Sequence, residues 1–290
     1  MKKFSLNLKI AATMVACIAA TSLLWNCSSE DDDEPTNAVR LVKSIVLYGD
    51  DGYESRNTYE YDAQNRLTTE YEVRIYGNEY DNHSSTTTIT YSDDRIFISR
   101  TENNDYGSTY SSTYTATLNS SGYIVELDYR RYVFTYDDKG YLRTHNYGYS
   151  HEYTSTWFWD KGNVTIFSQS ESEDGPEREY DRRTYTYEDK IPNKPTSIDL
   201  GYVFGIIGDM VQCHGWFGKS PVNLPSKVTD SGHVGLDVEL VERHEAKLRY
   251  VMDNKGYVKE VYLTERRYNE MEDVWGDWEE ERLLITITYY

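Results

Sequence analysis

One stretch of the sequence decides the fold: Phe134-Thr135-Tyr136-Asp137-Asp138-Lys139-Gly140-Tyr141-Leu142. An aspartate opens a type I turn because its carboxylate accepts backbone N–H groups, and a glycine takes the left-handed conformation that closes the turn at little cost. Aromatic residues flank the turn and suit the pleated surface of strands. The stretch therefore predicts one β-hairpin.

The same unit recurs along the chain. Further copies are Tyr250–Val258, Tyr59–Leu67 and Ala116–Ile124, with shortened copies at Tyr91–Ile96 and Trp159–Val164. In one copy Asn65 replaces the glycine, and asparagine is among the residues that tolerate the left-handed region best. Consecutive hairpins of this kind predict an up-and-down meander.

Side chains alternate in character between the turns, as at Val39–Leu47 and Leu283–Tyr289. A half-buried strand requires this period of two, and no long stretch shows the helical period. The sequence therefore predicts an all-β, antiparallel meander of many hairpins, closed or nearly closed into a barrel. Residues 39–290 are enough for a single domain of this class.

The segment 191–235 interrupts the meander. It holds four of the six prolines of the chain, namely Pro192, Pro195, Pro221 and Pro225. Proline is poorly tolerated in central strands because it lacks the N–H group that the sheet needs. We expect a plug-like segment that packs over or into the barrel, with the lining of a ligand pocket as the alternative.

These motifs carry a resemblance to known families. The hairpins resemble the tyrosine–aspartate (YD/RHS-type) repeats of bacterial surface and toxin shells. The segments Asn193-Lys194-Pro195, Gly215-Trp216-Phe217-Gly218-Lys219 and Asn223-Leu224-Pro225 are similar to those of gut-bacterial lipoproteins of the domain-of-unknown-function 4595 family. The resemblance covers Val39–Tyr290 and implies a porin-like β-barrel fold, with no activity and no functional residue.

The first 26 residues are typical of a secretory signal peptide. Lys2, Lys3 and Lys9 precede the apolar run Ile10–Trp25, and an acidic stretch follows Cys27. The run is short for a permanent span, which needs roughly 20 residues. We therefore predict a signal peptide at 1–26, an acidic tether at 27–38 and one barrel-like domain at 39–290.

The predicted anchor is a lipid on Cys27. Leu24-Trp25-Asn26-Cys27 resembles a bacterial lipobox, although Trp25 and Asn26 stand where small residues are usual. Lipidation there predicts an outer-membrane lipoprotein of the cell envelope, exposed at the surface, with simple secretion as the alternative. Cys213 then has no disulfide partner in the processed chain.

The charge of the chain limits its partners. Removal of residues 1–26 takes away three lysines and no acid, which changes the formal net charge from −19 to −22. Such a surface repels phosphate backbones, so we expect no nucleic-acid partner. The expected contact with the membrane is the anchor at Cys27.

The motifs for catalysis or metal binding are weak. His214, His233 and His244 fall in one region but lack the close spacing that fixes zinc ligands on one element. The aspartate turns lack the ladder of oxygens of a calcium loop. We therefore predict no cofactor, no metal site and no catalytic residue. A carboxylate pair for glycan cleavage stays an alternative because the chain has 49 acidic residues.

Aromatic side chains are the best candidates for ligand binding. Flat rings can stack on sugars, and the candidates are Trp157, Trp159, Trp216, Trp275 and Trp278. The alternative is that these rings fill the barrel or cover the plug. The first hypothesis for function is a non-catalytic surface lipoprotein that binds a glycan or another envelope protein, or that has a structural role. A polymer hydrolase and an outer-membrane channel are the alternatives.

Overall fold

The computed structural model describes ten stretches of the chain. They are residues 39–49, 52–76, 83–104, 107–128, 132–147, 152–172, 178–200, 215–233, 240–269 and 274–290. All belong to one compact unit, Val39–Tyr290. The predicted signal peptide, the tether and Cys27 lie outside the described residues, as do Cys213 and His214.

The described residues form 17 strands and no α-helix. The strands are β1 (Val42–Tyr48), β2 (Glu54–Tyr61), β3 (Leu67–Ile75), β4 (His83–Tyr91), β5 (Arg95–Asn104), β6 (Thr109–Leu118), β7 (Ile124–Leu127), β8 (Tyr132–Tyr136), β9 (Leu142–Tyr147), β10 (Glu152–Asp160), β11 (Asn163–Ser172), β12 (Arg178–Thr186), β13 (Lys227–His233), β14 (Leu240–Met252), β15 (Val258–Asn269), β16 (Val274–Trp275) and β17 (Arg282–Tyr289).

The sheet closes on itself. Each strand from β1 to β14 pairs antiparallel with the next, β15 pairs with β17, and β17 pairs with β1. The ring has 16 strands, and the short β16 pairs with the far end of β15 as an extra strand. The predicted all-β antiparallel barrel is therefore confirmed.

The hairpin turns form as their sequence predicts. In the first copy the carboxylate of Asp137 accepts the backbone N–H groups of Lys139 at 3.0 Å and Tyr141 at 2.9 Å. Gly140 has a φ of 85°, in the left-handed region, and Asn65 takes the same region with a φ of 61°. Asp62, Asn119 and Asp253 accept the corresponding bonds in the other full copies.

Aromatic side chains near the turns tie neighbouring hairpins together. Each donates a hydrogen bond of 2.5 to 2.8 Å to a backbone carbonyl of an earlier segment. The pairs are Tyr61 with Val42, Tyr91 with Leu67, Tyr136 with Ile124, Trp159 with Leu142, Tyr187 with Val164, Tyr250 with Pro225, and Tyr289 with Val258. Much of the aromatic content near the turns is therefore structural.

The plug consists of the described residues 191–200 and 215–226. Leu224 and Phe217 are buried, and the ring of Phe217 packs against Phe134 of β8 at 5.2 Å. The backbone N–H of Ile124 donates to the carbonyl of Trp216 at 2.8 Å. The hydrophobic core therefore lies where the plug meets the inner face of the barrel, at the end that carries the aspartate turns.

The plug ends earlier than the sequence predicts. Lys227–His233, which falls within the predicted segment 191–235, forms β13 and pairs with both β12 and β14. The four prolines stop at Pro225, so nothing prevents the residues that follow from joining the sheet.

Candidate functional site

The inner face of the barrel changes character along its axis. On β2 the buried side chains run from Tyr59 through Asn57 to Ser55, whereas Arg56 and Thr58 between them are exposed. Residues that face each other in an antiparallel pair of strands lie on the same side of the sheet. The pairing of β2 with β3 and of β3 with β4 therefore identifies which residues of these strands also point inward. The half away from the plug is polar and charged.

We call the charged part of this face the charged inner wall. It comprises Glu70, Glu72, Arg74, Arg100, Glu102, Asp181, Arg183, Asp230, His244, Glu265 and Arg282. The sequence carries a signal for it, since Glu70, Glu72 and Arg74 step by two along β3. Alternation alone does not say which face of a strand lies inside, so this row could not be told from a solvated outer face.

One cluster of the wall is centred on Glu72. Its carboxylate accepts hydrogen bonds from Arg74 at 2.7 Å and Arg100 at 3.0 Å, and from the hydroxyl groups of Ser55 at 3.2 Å and Ser85 at 3.3 Å. The cluster borders a cavity of about 160 Å³. Because four donors surround Glu72, its charge is well compensated.

Glu70 lies in a different environment two residues earlier on the same face. Its neighbours in the register are Tyr59 and Thr87, and no hydrogen bond or ion pair joins it to another described residue. Burial, with a smaller contribution from the charge of Glu72, raises the pKa of Glu70 to about 7. The two carboxyl groups of Glu70 and Glu72 therefore lie side by side in unlike environments.

A second cluster joins β13 to β17 through His244. Its Nδ1 lies 3.5 Å from Asp230, its Nε2 lies 2.7 Å from Glu265, and Glu265 also accepts from Arg282 at 3.1 Å. The hydrogen bond with Asp230 raises the pKa of His244, burial opposes the rise, and the bond with Glu265 adds to it. Burial alone would raise the pKa of Glu265. The hydrogen bonds from His244 and Arg282 outweigh burial, so this pKa is lowered.

His145 lies on the inner face in an aromatic environment. Its ring stacks on Phe134 with centroids 4.7 Å apart and an interplanar angle of 5°. Its Nε2 is buried without a hydrogen-bond partner among the described residues. Burial lowers the pKa of His145 to about 4, so the ring is neutral near pH 7.

Three of the five candidate tryptophans are internal. Trp157 has no exposed surface and packs against Phe167 at 5.2 Å. Trp159 donates its indole N–H to the carbonyl of Leu142, and Trp216 is buried in the plug beside Tyr91. These three side chains contribute to the core and to the plug.

The other two tryptophans lie on the outer wall, near β16. The guanidinium of Arg266 lies 4.7 Å from the ring centroid of Trp275 and 4.8 Å from that of Trp278. Lys247 lies 3.9 Å from the ring centroid of Trp278. The structure therefore brings Trp275 and Trp278 together and separates them from the internal three.

The outer wall is rich in hydroxyl groups and ion pairs. Outward pairs across neighbouring strands are Thr86 with Thr101, Thr88 with Ser99, Thr135 with Thr144, Thr184 with Thr229, and Ser44 with Thr288. Arg182 pairs with Glu179 and Arg249 with Glu281, each at 2.6 Å. Among the described residues, exposed apolar side chains form short rows here, such as Tyr71, Val73 and Ile75 on β3.

No group of three or more His, Cys, Asp or Glu side chains in the described ranges could hold a metal ion. Nor does the described part of the chain contain a helix that is long and apolar enough to cross a membrane.

Comparisons with known proteins bear on the fold. A porin-like protein from Bacteroides uniformis matches with a TM-score of 0.57 and 18% identity, covering 86% of this chain and 98% of that one. The fold is porin-like. A porin-like protein from Bacteroides vulgatus matches with a TM-score of 0.55 and 14% identity, covering 87% of this chain and 99% of the other. At these identities the likeness concerns the fold alone.

No protein-family model and no curated protein matches the chain. The barrel implied by the resemblance to the domain-of-unknown-function 4595 family is present. Membership of that family, and the relation to tyrosine–aspartate repeats, stay predictions.

Proposed function

We propose that this chain is an exported lipoprotein of the cell envelope, anchored through Cys27 and exposed at the outer-membrane surface. The outer wall of its porin-like barrel would face water, and the barrel would serve as a non-catalytic binding or structural module. The observation that carries the proposal is the outer wall, with its threonine pairs and its ion pairs. The anchor and the signal peptide rest on the sequence.

The outer wall favours this function over an outer-membrane channel. A barrel that spans a membrane presents an apolar band about 25 Å tall to lipid, and an arginine or lysine at the midplane costs roughly 2 to 4 kcal/mol. Here Arg182 pairs with Glu179 on β12, and Lys227 of the neighbouring β13 pairs with an acid of β14. Thr184 and Thr229 lie between them on the outer face. The plug also occupies one end of the barrel, where it would obstruct a conducting path.

A change at the cysteine tests the anchor. Cys27→Ala should move the protein from the membrane fraction of intact cells to the soluble fraction, since no other lipid attachment site is proposed. Cys17→Ala is the matched control, because it alters the neighbouring cysteine of the apolar run and should leave the protein in the membrane fraction. Membrane retention of the Cys27→Ala protein would contradict lipidation there.

The ligand in this proposal is a glycan or another envelope protein. Among the five candidate tryptophans, Trp275 and Trp278 are the two that lie on the outer wall, where sugars could reach them. A glycan array with residues 28–290 should give signals that fall in the Trp278→Ala protein and persist in the Phe97→Ala protein. Phe97 is an exposed aromatic residue elsewhere on the outer wall. An array without signals would argue against glycan binding.

A hydrolase is the second candidate, and the pair Glu70 and Glu72 favours it. Enzymes that use one carboxyl group as an acid and another as a base place them in unlike environments, as this pair is placed. Glu70→Gln should abolish turnover of a polysaccharide if the pair is catalytic, whereas Glu102→Gln should preserve it. Equal rates for the three proteins would exclude a catalytic role for the pair.

A further inference from the structure

A cavity of about 460 Å³ lies at the plug end of the barrel. We call it the end cavity. Its lining comes from the turn tyrosines Tyr123 and Tyr141, from Asn193–Thr196, Asp199 and Leu200, and from Gly215 and Gly218–Val222. Small-molecule sites usually measure about 300 to 1,000 Å³, so the volume fits a ligand of one or two sugar rings.

Hydrogen bonds hold the walls of the end cavity in place. The side chain of Asn193 donates to the carbonyl of Pro221 at 2.9 Å, and the backbone N–H of Asn193 donates to that of Val222 at 2.9 Å. Lys219 donates its backbone N–H to the carbonyl of Gly140 at 2.9 Å. The two parts of the plug and a hairpin turn are therefore fixed relative to one another, as a preformed site requires.

The end cavity has two cationic side chains. The ammonium group of Lys194 donates to the carbonyl of Lys255 at 2.5 Å and lies 5.1 Å from the ring centroid of Tyr257. The ammonium group of Lys219 lies 5.7 Å from the ring centroid of Tyr141. Neither group pairs with a carboxylate of the described residues, although the chain as a whole is strongly acidic. Each ammonium group therefore keeps donors for an anion.

The tyrosines supply aromatic surface beside these cations. Tyr123 packs on Tyr136 at 5.2 Å, and Tyr141 packs on Trp159 at 4.5 Å. Both are partly exposed, so each ring is supported by the barrel and also borders the end cavity. Supported aromatic rings of this kind suit the apolar face of a sugar.

We propose that the end cavity binds a sugar ring that carries an anionic group, either a carboxylate or a phosphate. Lys194 and Lys219 would pair with the anion, and Tyr123 and Tyr141 would contact the ring. The proposal rests on the binding role given above and adds a second site, distinct from Trp275 and Trp278, with its own ligand class.

Titration calorimetry on residues 28–290, which contain the whole closed barrel, tests the proposal. The anionic probes are 3′-sialyllactose for a carboxylate and glucose 6-phosphate for a phosphate, and lactose and glucose are their neutral partners. At least one anionic probe should bind at least tenfold more tightly than its neutral partner. The preferred probe identifies which anion the site accepts.

Substitutions locate the binding. In the double variant Lys194→Met/Lys219→Met the affinity for the anionic probe should fall at least tenfold. The matched control is Lys139→Met/Lys161→Met, which removes two exposed turn lysines that do not line the end cavity and should change the affinity less than twofold. Circular dichroism checks that both variants fold.

Three results would overturn the proposal. They are binding of none of the four probes, equal binding of anionic and neutral probes, or an equal loss in the two double variants. None of these results bears on the anchor at Cys27, which the fractionation of cells tests separately.

Discussion

The hydroxyl group of Tyr250 donates a hydrogen bond of 2.6 Å to the carbonyl oxygen of Pro225, which joins the barrel strand β14 to the plug. Burial raises the pKa of Tyr250, so the hydroxyl keeps its proton and remains a donor at every physiological pH. Tyr61 makes a comparable link, because its hydroxyl lies 2.7 Å from that of Ser197 in the plug. The plug is therefore bonded to the barrel wall as well as packed against it.

Removal of the Tyr250 hydroxyl should destabilise the protein. Tyr250→Phe keeps the ring but leaves the carbonyl of Pro225 without this donor, so we expect the free energy of unfolding to fall by about 1 to 2 kcal/mol. Tyr71→Phe is the control, since Tyr71 lies on the outer wall with 41% of its surface exposed and should change stability by less than about 0.5 kcal/mol. Urea unfolding measures both. Equal effects would show that the bond to the plug adds nothing.

Two glycines allow the cost of backbone strain to be measured apart from the cost of steric crowding. Gly218 and Gly107 both have positive φ, at 89° and 75°. A Cβ on Gly218 would lie 2.6 Å from the carbonyl oxygen of Gly140, whereas a Cβ on Gly107 would meet no atom of the described residues within 4 Å. Gly107→Ala should cost about 1 to 2 kcal/mol through the left-handed conformation alone. Gly218→Ala should cost roughly 1 to 3 kcal/mol more, because the plug must shift away from the turn.

Urea unfolding of the two alanine variants checks this difference. A Gly218→Ala protein as stable as the Gly107→Ala protein would contradict the close approach of the plug to Gly140.

His145 should make the protein sensitive to acid. Because burial lowers its folded-state pKa to about 4, the unfolded chain binds the proton first as the pH falls below about 6.5. The stability that His145 contributes is present above pH 6.5 and is lost between about pH 6.5 and 4, up to about 3 kcal/mol. His145→Phe should remove this dependence. An unchanged pH profile of unfolding in the variant would contradict the burial of a neutral ring.

Glu70 should change stability with pH in the opposite direction to His145, over nearly the same pH range. Its folded-state pKa is raised from 4.5 to about 7, so the folded protein holds the proton longer than the unfolded chain. The stability that Glu70 contributes should therefore fall as the pH rises from about 4.5 to 7, by up to about 3 kcal/mol. Glu70→Gln should remove this contribution, whereas Glu102→Gln should leave the pH profile of the natural protein unchanged. Urea unfolding at pH 4.5, 5.5 and 7 measures the difference.

In the natural chain the pH effects of His145 and Glu70 on stability offset one another between about pH 4.5 and 6.5. Stability should thus rise with pH in the Glu70→Gln protein and fall with pH in the His145→Phe protein. Slopes of the same sign in the two variants would contradict this assignment.

The local parts of the fold could be predicted from the sequence. The turn at Asp137–Gly140 depends on contacts within five residues, and its side-chain and backbone bonds form as expected. The period of two in the strands likewise shows that alternate residues share a face. The sequence left open whether the barrel is fully closed, and the pairing of β1 with β17 shows that it is.

The functional surfaces could not be assigned in the same way. Alternation does not say which face is inside, so the sequence did not distinguish the core residue Trp157 from an exposed ring. The charged inner wall and the end cavity depend on contacts between distant segments, such as His244 with Glu265 and Asn193 with Pro221. These contacts join residues 21 and 28 positions apart in the chain, so no local sequence pattern reveals them.

The central claim is that the barrel wall faces water, and its behaviour without detergent tests this most directly. Residues 28–290, produced without the signal peptide and the lipidated cysteine, should be a folded monomer in plain buffer. Size-exclusion chromatography should give one monomeric peak, and circular dichroism should show a β spectrum that is lost cooperatively in urea. A protein that aggregates in buffer and reaches the same β spectrum only in detergent micelles would contradict the account.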